Sequence, residues 1–164
     1  MNSIDYAKTL APLLLAQGWK LALAESCTGG LVCATLTELP GSSDWFERGY
    51  ITYSNQAKTE CLGVSEELLK TFGAVSEPVA KAMAQGAQIN SGVALAISIT
   101  GIAGPSGGTK DKPVGTVCFG WAIRNEAGEN VTTTQTKLFI GDRQSIRQQA
   151  TEHALAGLLQ ILNS

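Results

Sequence analysis

The sequence predicts an α/β protein: a single-domain α/β/α sandwich with a mixed sheet of about five strands and helices on both faces. Three observations carry that expectation. Apolar runs of strand length, KLALA at Lys20–Ala24 and VALAISIT at Val93–Thr100, are interleaved with segments of helical periodicity. Two β-rich stretches, Val114–Arg124 and Asn130–Ile140, lie together across Glu126-Ala127-Gly128 in the manner of a hairpin. The 164 residues, 44% hydrophobic and 16% charged, suit one compact domain spanning residues 1–164, with no repeat, linker or low-complexity tract.

Ile4 to Ala16 sets Ile4, Ala7, Ala11, Leu14 and Leu15 at helical spacing, with Asp5 suited to the first turn and Gly18 to the stop. Pro12 is awkward there and predicts a kink. Lys20 to Ala24 reads as a buried strand, Leu31 to Leu39 as a helix, and Pro40-Gly41-Ser42-Ser43 as a turn. Phe46 to Ser54 reads as a strand through Tyr50, Ile51, Thr52 and Tyr53. Asn55 is the expected N-cap of a helix from Gln56 to Leu62 that Gly63 ends, and a short helix follows from Ser65 to Thr71. Ser76-Glu77-Pro78 opens a helix that closes near Asn90-Ser91-Gly92. After the strand Val93–Thr100 comes a Gly/Pro loop, Gly101 to Pro113, and then the hairpin. Asp142 caps a last helix with Ile146, Ala150, His153, Ala154, Gly157 and Ile161 on one face.

Charge and cysteine usage exclude several classes. The formal net charge is -2 and no basic block occurs, which argues against nucleic acid as a partner but leaves a small anionic ligand open. No apolar stretch approaches the roughly 20 residues that span a bilayer, and the N-terminus lacks a secretion signal, so a cytoplasmic protein without membrane attachment is expected. Cys27, Cys33, Cys61 and Cys118 show no metal-type spacing, and no His/Asp/Glu cluster has ligand spacing; neither a metal nor another cofactor is expected.

The chemistry gathers in four segments. Glu25-Ser26-Cys27-Thr28-Gly29-Gly30 joins a strand to a helix, which sets the Ser26 hydroxyl at the sheet's carboxyl edge, the usual ligand site of open α/β sheets. The helix start offers N–H donors near Cys27 to Gly30 for an oxyanion, although a serine or threonine there also suits plain capping. A serine needs a base, and the sole histidine, His153, lies on the apolar side of its helix. The remaining base is a lysine: Tyr53-Ser54-Asn55-Gln56-Ala57-Lys58 leaves a strand and enters a helix, so Tyr53, Asn55 and Lys58 can approach Ser26 if the two edges are neighbours. Taken alone, Lys58 reads as a solvated helix lysine; as a base it needs burial or a nearby cation to lower its pKa. The loop carrying Thr100, Gly101, Gly104, Gly107, Gly108 and Thr109 follows a core strand and suits a phosphate held by backbone N–H groups. Arg143 and Arg147, four apart, share a face for an anion or for surface salt bridges.

With these segments in view, the chain resembles the CinA C-terminal domain family. The motifs are AESCTGG (Ala24–Gly30), GSSDWFERGYITYSNQAK (Gly41–Lys58), GAVSE (Gly73–Glu77), SITGIAGPSGGTKDKPVGTV (Ser98–Val117) and GDRQSIRQQA (Gly141–Ala150), which span nearly the whole chain in the family's order. The chain starts about where that domain starts, without the family's larger N-terminal domain. The resemblance implies an α/β/α fold and hydrolysis of nicotinamide mononucleotide to nicotinate mononucleotide and ammonia by a metal-free serine mechanism. It places the nucleophile on Ser26, the base on Lys58 and a tyrosine relay on Tyr53, with Tyr50 three residues earlier as the competing tyrosine. The substrate-binding set expected around them is Thr28, Gly29, Gly30, Asn55, Thr100, Gly101, Gly104, Gly107, Gly108, Thr109 and Arg143.

Two other readings use the same motifs. One is a non-catalytic nucleotide- or partner-binding module, since a glycine loop and a helix N-terminus bind phosphate without chemistry. The other is a cysteine amidase built on Cys27 and His153. A homo-oligomer is a further expectation, with Trp45, Phe46 and Tyr50 serving either an interface or the pocket wall.

Overall fold

A computed structural model describes residues 1–164. Eleven elements follow in order: α1 (Ser3–Gln17), β1 (Leu21–Glu25), α2 (Leu31–Thr37), β2 (Phe46–Ile51), α3 (Asn55–Leu62), α4 (Glu66–Phe72), α5 (Glu77–Ser91), β3 (Leu95–Gly101), β4 (Thr116–Arg124), β5 (Asn130–Leu138) and α6 (Arg143–Leu162). The strands form one five-stranded sheet in the order β2-β1-β3-β4-β5. β1 runs parallel to both β2 and β3, while β3–β4 and β4–β5 are antiparallel. The expected mixed sheet between two helical layers is therefore present.

Alternation along the strands sorts the layers. Leu21, Leu23, Leu95, Ile97, Ile99, Val117, Phe119 and Trp121 face α1, α2 and α6 and form the larger core. The intervening residues are small: Ala22, Ala24, Ala96 and Ala122 face α5 in a second core with Val79, Met83, Ala84 and Ala87. Small side chains let α5 lie close to the sheet, and the Ser98 hydroxyl donates to the Ala80 carbonyl across the contact. α3 in turn lies against α5 at Gly86, where any Cβ would stand 2.0 Å from the Leu62 carbonyl oxygen.

The local differences from expectation have simple causes. α1 runs unbroken through Pro12, which is exposed, so the carbonyl left without an N–H partner can face water. Ser54, not Asn55, caps α3: its backbone is extended and its hydroxyl accepts from the Ala57 N–H, leaving Asn55 as the first helical residue. β2 ends at Ile51, and α2 at Thr37, each short of the expected end. The strands predicted from Val93 and Val114 begin at Leu95 and Thr116, and the one predicted to Ile140 ends at Leu138. The remaining caps fall where the residues put them: Gly18, Gly63 and Gly92 in the left-handed region, and Ser76 and Asp142 accepting from helix N–H groups.

Gly86→Ala tests the α3–α5 contact. Helix propensity alone would favour alanine by about 1 kcal/mol. The clash with the Leu62 carbonyl should reverse the sign and cost about 2 kcal/mol in chemical denaturation. An unchanged or higher midpoint would mean that α3 does not depend on this close approach.

Candidate active site

The strand alternation that sorts the core also separates Glu25 from Ser26. Glu25 continues the Leu21–Leu23 side and its carboxylate turns toward α2, accepting from the N–H groups of Gly30 and Val32 at 3.1 Å each and of Cys33 at 2.9 Å. Ser26 continues the small-residue side toward α3 and α5. Its N–H donates to the Ile99 carbonyl, and the next strand over is tied by the Thr52 N–H to the Glu25 carbonyl. Ser26 is thereby held at the carboxyl ends of β1, β2 and β3.

Lys58 reaches the same point from α3. The side chain is 1% exposed, and its Nζ lies 2.9 Å from Ser26 Oγ and 2.8 Å from the Thr52 carbonyl oxygen. The ion pairs of the chain all involve Glu47 instead, with Lys20 and Arg48. Burial pushes the Lys58 pKa below the ordinary lysine value, with the neighbouring Cys27 opposing in smaller measure. The sequence read alone made this residue a solvated lysine; docking of α3 over the small-residue face of the sheet is what buries it.

After Ser26 the chain makes a tight turn. The Ser26 carbonyl accepts from the Gly29 N–H and the Thr28 carbonyl from the Leu31 N–H, with Gly29 and Gly30 at φ +57° and +104°. Of the donors expected from Cys27 to Gly30, two are committed: Gly29 to Ser26, and Gly30 to Glu25. The N–H groups of Cys27 and Thr28 donate to no protein acceptor. Thr28 is fully buried and its hydroxyl has no partner. Arg147 grips the turn from α6, its Nε donating to the Cys27 carbonyl at 3.1 Å and Nη2 to the Thr28 carbonyl at 2.9 Å.

A cavity of about 260 Å³ opens over these groups. Of the residues singled out in the sequence, Ser26, Lys58, Tyr53, Asn55, Thr100, Gly101, Gly104, Gly107 and Arg143 line it. Thr28, Gly29, Gly30, Gly108 and Thr109 are not part of its lining. Gly29 backs onto Arg147 and Gly30 onto Ile51, Gly108 packs on Val114, and Thr109 closes a turn with Lys112. Arg143 bridges two parts of the rim, donating from Nη1 to the Gly104 carbonyl at 2.7 Å and from Nη2 to the Tyr53 hydroxyl at 2.9 Å. Tyr53 is 61% exposed. Tyr50 packs instead against the α5-side core, so Tyr53 is the tyrosine at the cavity. A larger depression between α3 and α4, about 580 Å³, is lined by Asn55, Gln56, Thr59, Glu60, Glu66, Leu69 and Lys70 and contains no nucleophile-and-base pair.

The cysteine–histidine reading fails on geometry. His153 lies away from the cavity, among Phe119, Trp121 and Phe139, and bonds Gln135 at 2.8 Å. Burial pushes the Cys27 thiol up to about 12, which leaves it unreactive near neutrality. Sequence reasoning missed Glu25 and the task of Arg147. Period-two alternation from Leu21 would have sent Glu25 to the opposite face from Ser26; nothing local predicts that Arg147 reaches back across 120 residues.

The family model of the CinA C-terminal domain matches residues 4–162. The nicotinamide-nucleotide amidohydrolase PncC of Escherichia coli (strain K12) is 51% identical over 157 residues, covering 96% of this chain and 93% of that protein. A CinA-like protein of Akkermansia muciniphila is 54% identical over 146 residues, covering 89% of this chain but 34% of that protein. The chain spans about a third of the length of such CinA-like relatives. Among solved structures, competence damage-inducible protein A (ComA) from Klebsiella pneumoniae superposes with a TM-score of 0.93 at 36% identity, covering 99% of this chain and 98% of that one. The competence/damage inducible protein CihA from Agrobacterium tumefaciens superposes with a TM-score of 0.90 at 38% identity, covering 100% of this chain and 97% of that one.

The burial of Lys58 makes a prediction independent of any substrate. The fold disfavours the ammonium form, so the unfolded chain holds more protons between the lowered pKa and the ordinary value of 10.5. Stability of the wild type relative to Lys58→Met should therefore rise with pH between the lowered pKa and about 10.5, read by urea unfolding. A flat difference over that range would mean that the amine keeps its ordinary pKa.

Proposed function

Since the chain belongs to the CinA C-terminal domain family, we propose that residues 1–164 form one catalytic domain that hydrolyses the carboxamide of nicotinamide mononucleotide, giving nicotinate mononucleotide and ammonia. The observation that carries this reading is the buried Lys58 amine 2.9 Å from the Ser26 hydroxyl at the floor of a cavity. A neutral lysine accepts the serine proton, and burial favours the neutral form. The names of relatives such as the Escherichia coli amidohydrolase supply the substrate class. A cytoplasmic setting belongs to the same reading; no helix is long and apolar enough to cross a membrane.

In this mechanism the Thr52 carbonyl aims the Lys58 amine, which takes the proton as Ser26 Oγ bonds to the carboxamide carbon. The Cys27 N–H, uncommitted within the protein and carried by a residue that lines the cavity, receives the oxyanion. The Lys58 ammonium returns its proton to the leaving nitrogen as the C–N bond breaks, releasing ammonia and an ester on Ser26. Water then gives a proton to Lys58 and attacks the ester, and the serine leaves reprotonated. Arg143 meets the ribose phosphate together with the loop from Thr100 to Gly107. Tyr53 has no hydrogen bond to Ser26 or Lys58 in the free protein, its hydroxyl being held by Arg143. A phosphate that engages Arg143 would free that hydroxyl for the relay.

Ammonia release from nicotinamide mononucleotide, in buffer containing EDTA, tests the reading. Wild type should turn over, Ser26→Ala and Lys58→Ala should lose at least about a thousandfold in kcat, and activity should rise with pH along a limb below the ordinary lysine value of 10.5. Wild type that binds the nucleotide without releasing ammonia would instead indicate the binding module. Tyr53→Phe separates the two roles of that residue: loss in kcat with little change in KM marks a relay, whereas a higher KM at unchanged kcat confines Tyr53 to the rim.

A further inference from the structure

We propose that β5 is a self-association surface: two copies of the chain pair their β5 edges antiparallel about a twofold axis, with Lys137 of each opposite Glu129 of the other. β5 ends the sheet order and is hydrogen-bonded only on its β4 side. The Phe139 N–H donates to the Gly115 carbonyl and the Asn125 N–H to the Glu129 carbonyl, so odd-numbered residues turn their backbone groups toward β4. The N–H and C=O groups of Asn130, Thr132, Thr134, Thr136 and Leu138 therefore face outward along an open edge. That edge is nine residues long with Lys137 its only charge, and so lacks the usual guards against pairing. The opposite edge, β2, is six residues long and carries Glu47 and Arg48, which pair with each other and, through Glu47, with Lys20. The aromatic residues considered for an interface are taken up inside the chain: Trp45 is buried, and Phe46 and Tyr50 pack against the two cores.

Twofold pairing restricts the register. Outward groups must meet outward groups, so even-numbered residues pair with even-numbered ones, and the odd residues between them stand opposite odd ones. When Thr132 pairs with Thr134 of the partner subunit, Thr133 meets its own copy, Val131 meets Gln135 of the partner subunit, and Lys137 meets Glu129 of the partner subunit. A slip to the next permitted register either way sets Lys137 opposite Ala127 or Val131 instead. Glu129, Val131, Thr133, Gln135 and Lys137 are all exposed. They share the face of β5 away from Glu77, which holds the Thr134 and Thr136 hydroxyls at 2.7 Å each. Neither Lys137 nor Glu129 has an ion pair within its own chain, and the Glu129 carboxylate accepts only from Asn125, at 3.5 Å. Opposite charges directly across an antiparallel pair stabilise it and like charges oppose it, so the charge pattern selects a single self-complementary register.

Sedimentation equilibrium of the full chain at low salt tests this, with circular dichroism to check each variant's fold. One strand pair is a small interface, so wild type should dimerise with a dissociation constant in the range of about 1–100 µM. Lys137→Glu and Glu129→Lys each set like charges at both contacts and should each weaken the dimer at least about tenfold. An equimolar mixture of these two variants restores opposite charges at both contacts and should dimerise about as strongly as wild type. Thr132→Pro removes an outward N–H, a change that an edge strand tolerates, and should leave a folded monomer. Wild type still monomeric at about 500 µM overturns the proposal. So does a dimer of unchanged strength in the charge variants or in folded Thr132→Pro, or a mixture no stronger than its components. If Thr132→Pro does not fold, the two charge variants and their mixture decide the matter.

Discussion

The amine of Lys58 is buried against two neutral oxygens, the Ser26 hydroxyl and the Thr52 carbonyl, and much of the molecule is arranged to permit it. A lysine interior to a protein is costly as a cation. A carboxylate partner would lower that cost but would also keep the lysine protonated and useless as a base. The chain has one buried carboxylate near the site, Glu25, and strand alternation turns it away, onto the first N–H groups of α2. Lys58 and Glu25 are thus kept on opposite faces of the same sheet. With no carboxylate beside it, burial lowers the Lys58 pKa unopposed except by Cys27.

The inequality of the two sheet faces serves the same end. Large residues on the α1 and α6 side provide most of the apolar burial and hence most of the fold's stability. The α5 side is built from alanine, serine, threonine and glycine, which brings helices close and leaves depth at the strand ends for a cavity. Gly86 extends the close packing by one layer, from α5 to α3, and so sets the height at which Lys58 enters. The packing that fixes Lys58 is remote from it, which is why a substitution in α5 bears on the cavity.

Much of this was legible in the residues. The buried strands announced themselves as apolar runs, the helices by caps such as Ser76 and Asp142, and the hairpin by Gly128. The pairing of Ser26 with Lys58 followed from two strand-to-helix junctions plus a family likeness, but not from either junction alone. Strand order was beyond the pattern, because it depends on which sheet edges meet. So was the burial of Lys58, which nothing in YSNQAK distinguishes from a surface helix. Asn55 and Ser54 are equally good caps by type, and the extended backbone at Ser54 decided between them. Of the N–H groups expected from Cys27 to Gly30, those of Gly29 and Gly30 are claimed by the Ser26 carbonyl and the Glu25 carboxylate, which no pattern of the sequence announces.

Arg143 and Arg147 both belong to α6, which follows every other element in chain order. Their partners, Gly104, Tyr53, Cys27 and Thr28, are all made earlier. During synthesis, then, the sheet and the Ser26–Lys58 pair have all their residues before the rim and the turn after Ser26 can be clamped. A nascent chain that has not yet released α6 carries the Ser26–Lys58 pair without its finished surroundings. On the proposed reading, the order of the chain delays an armed site until α6 has docked, after the residues of the sheet are already in place.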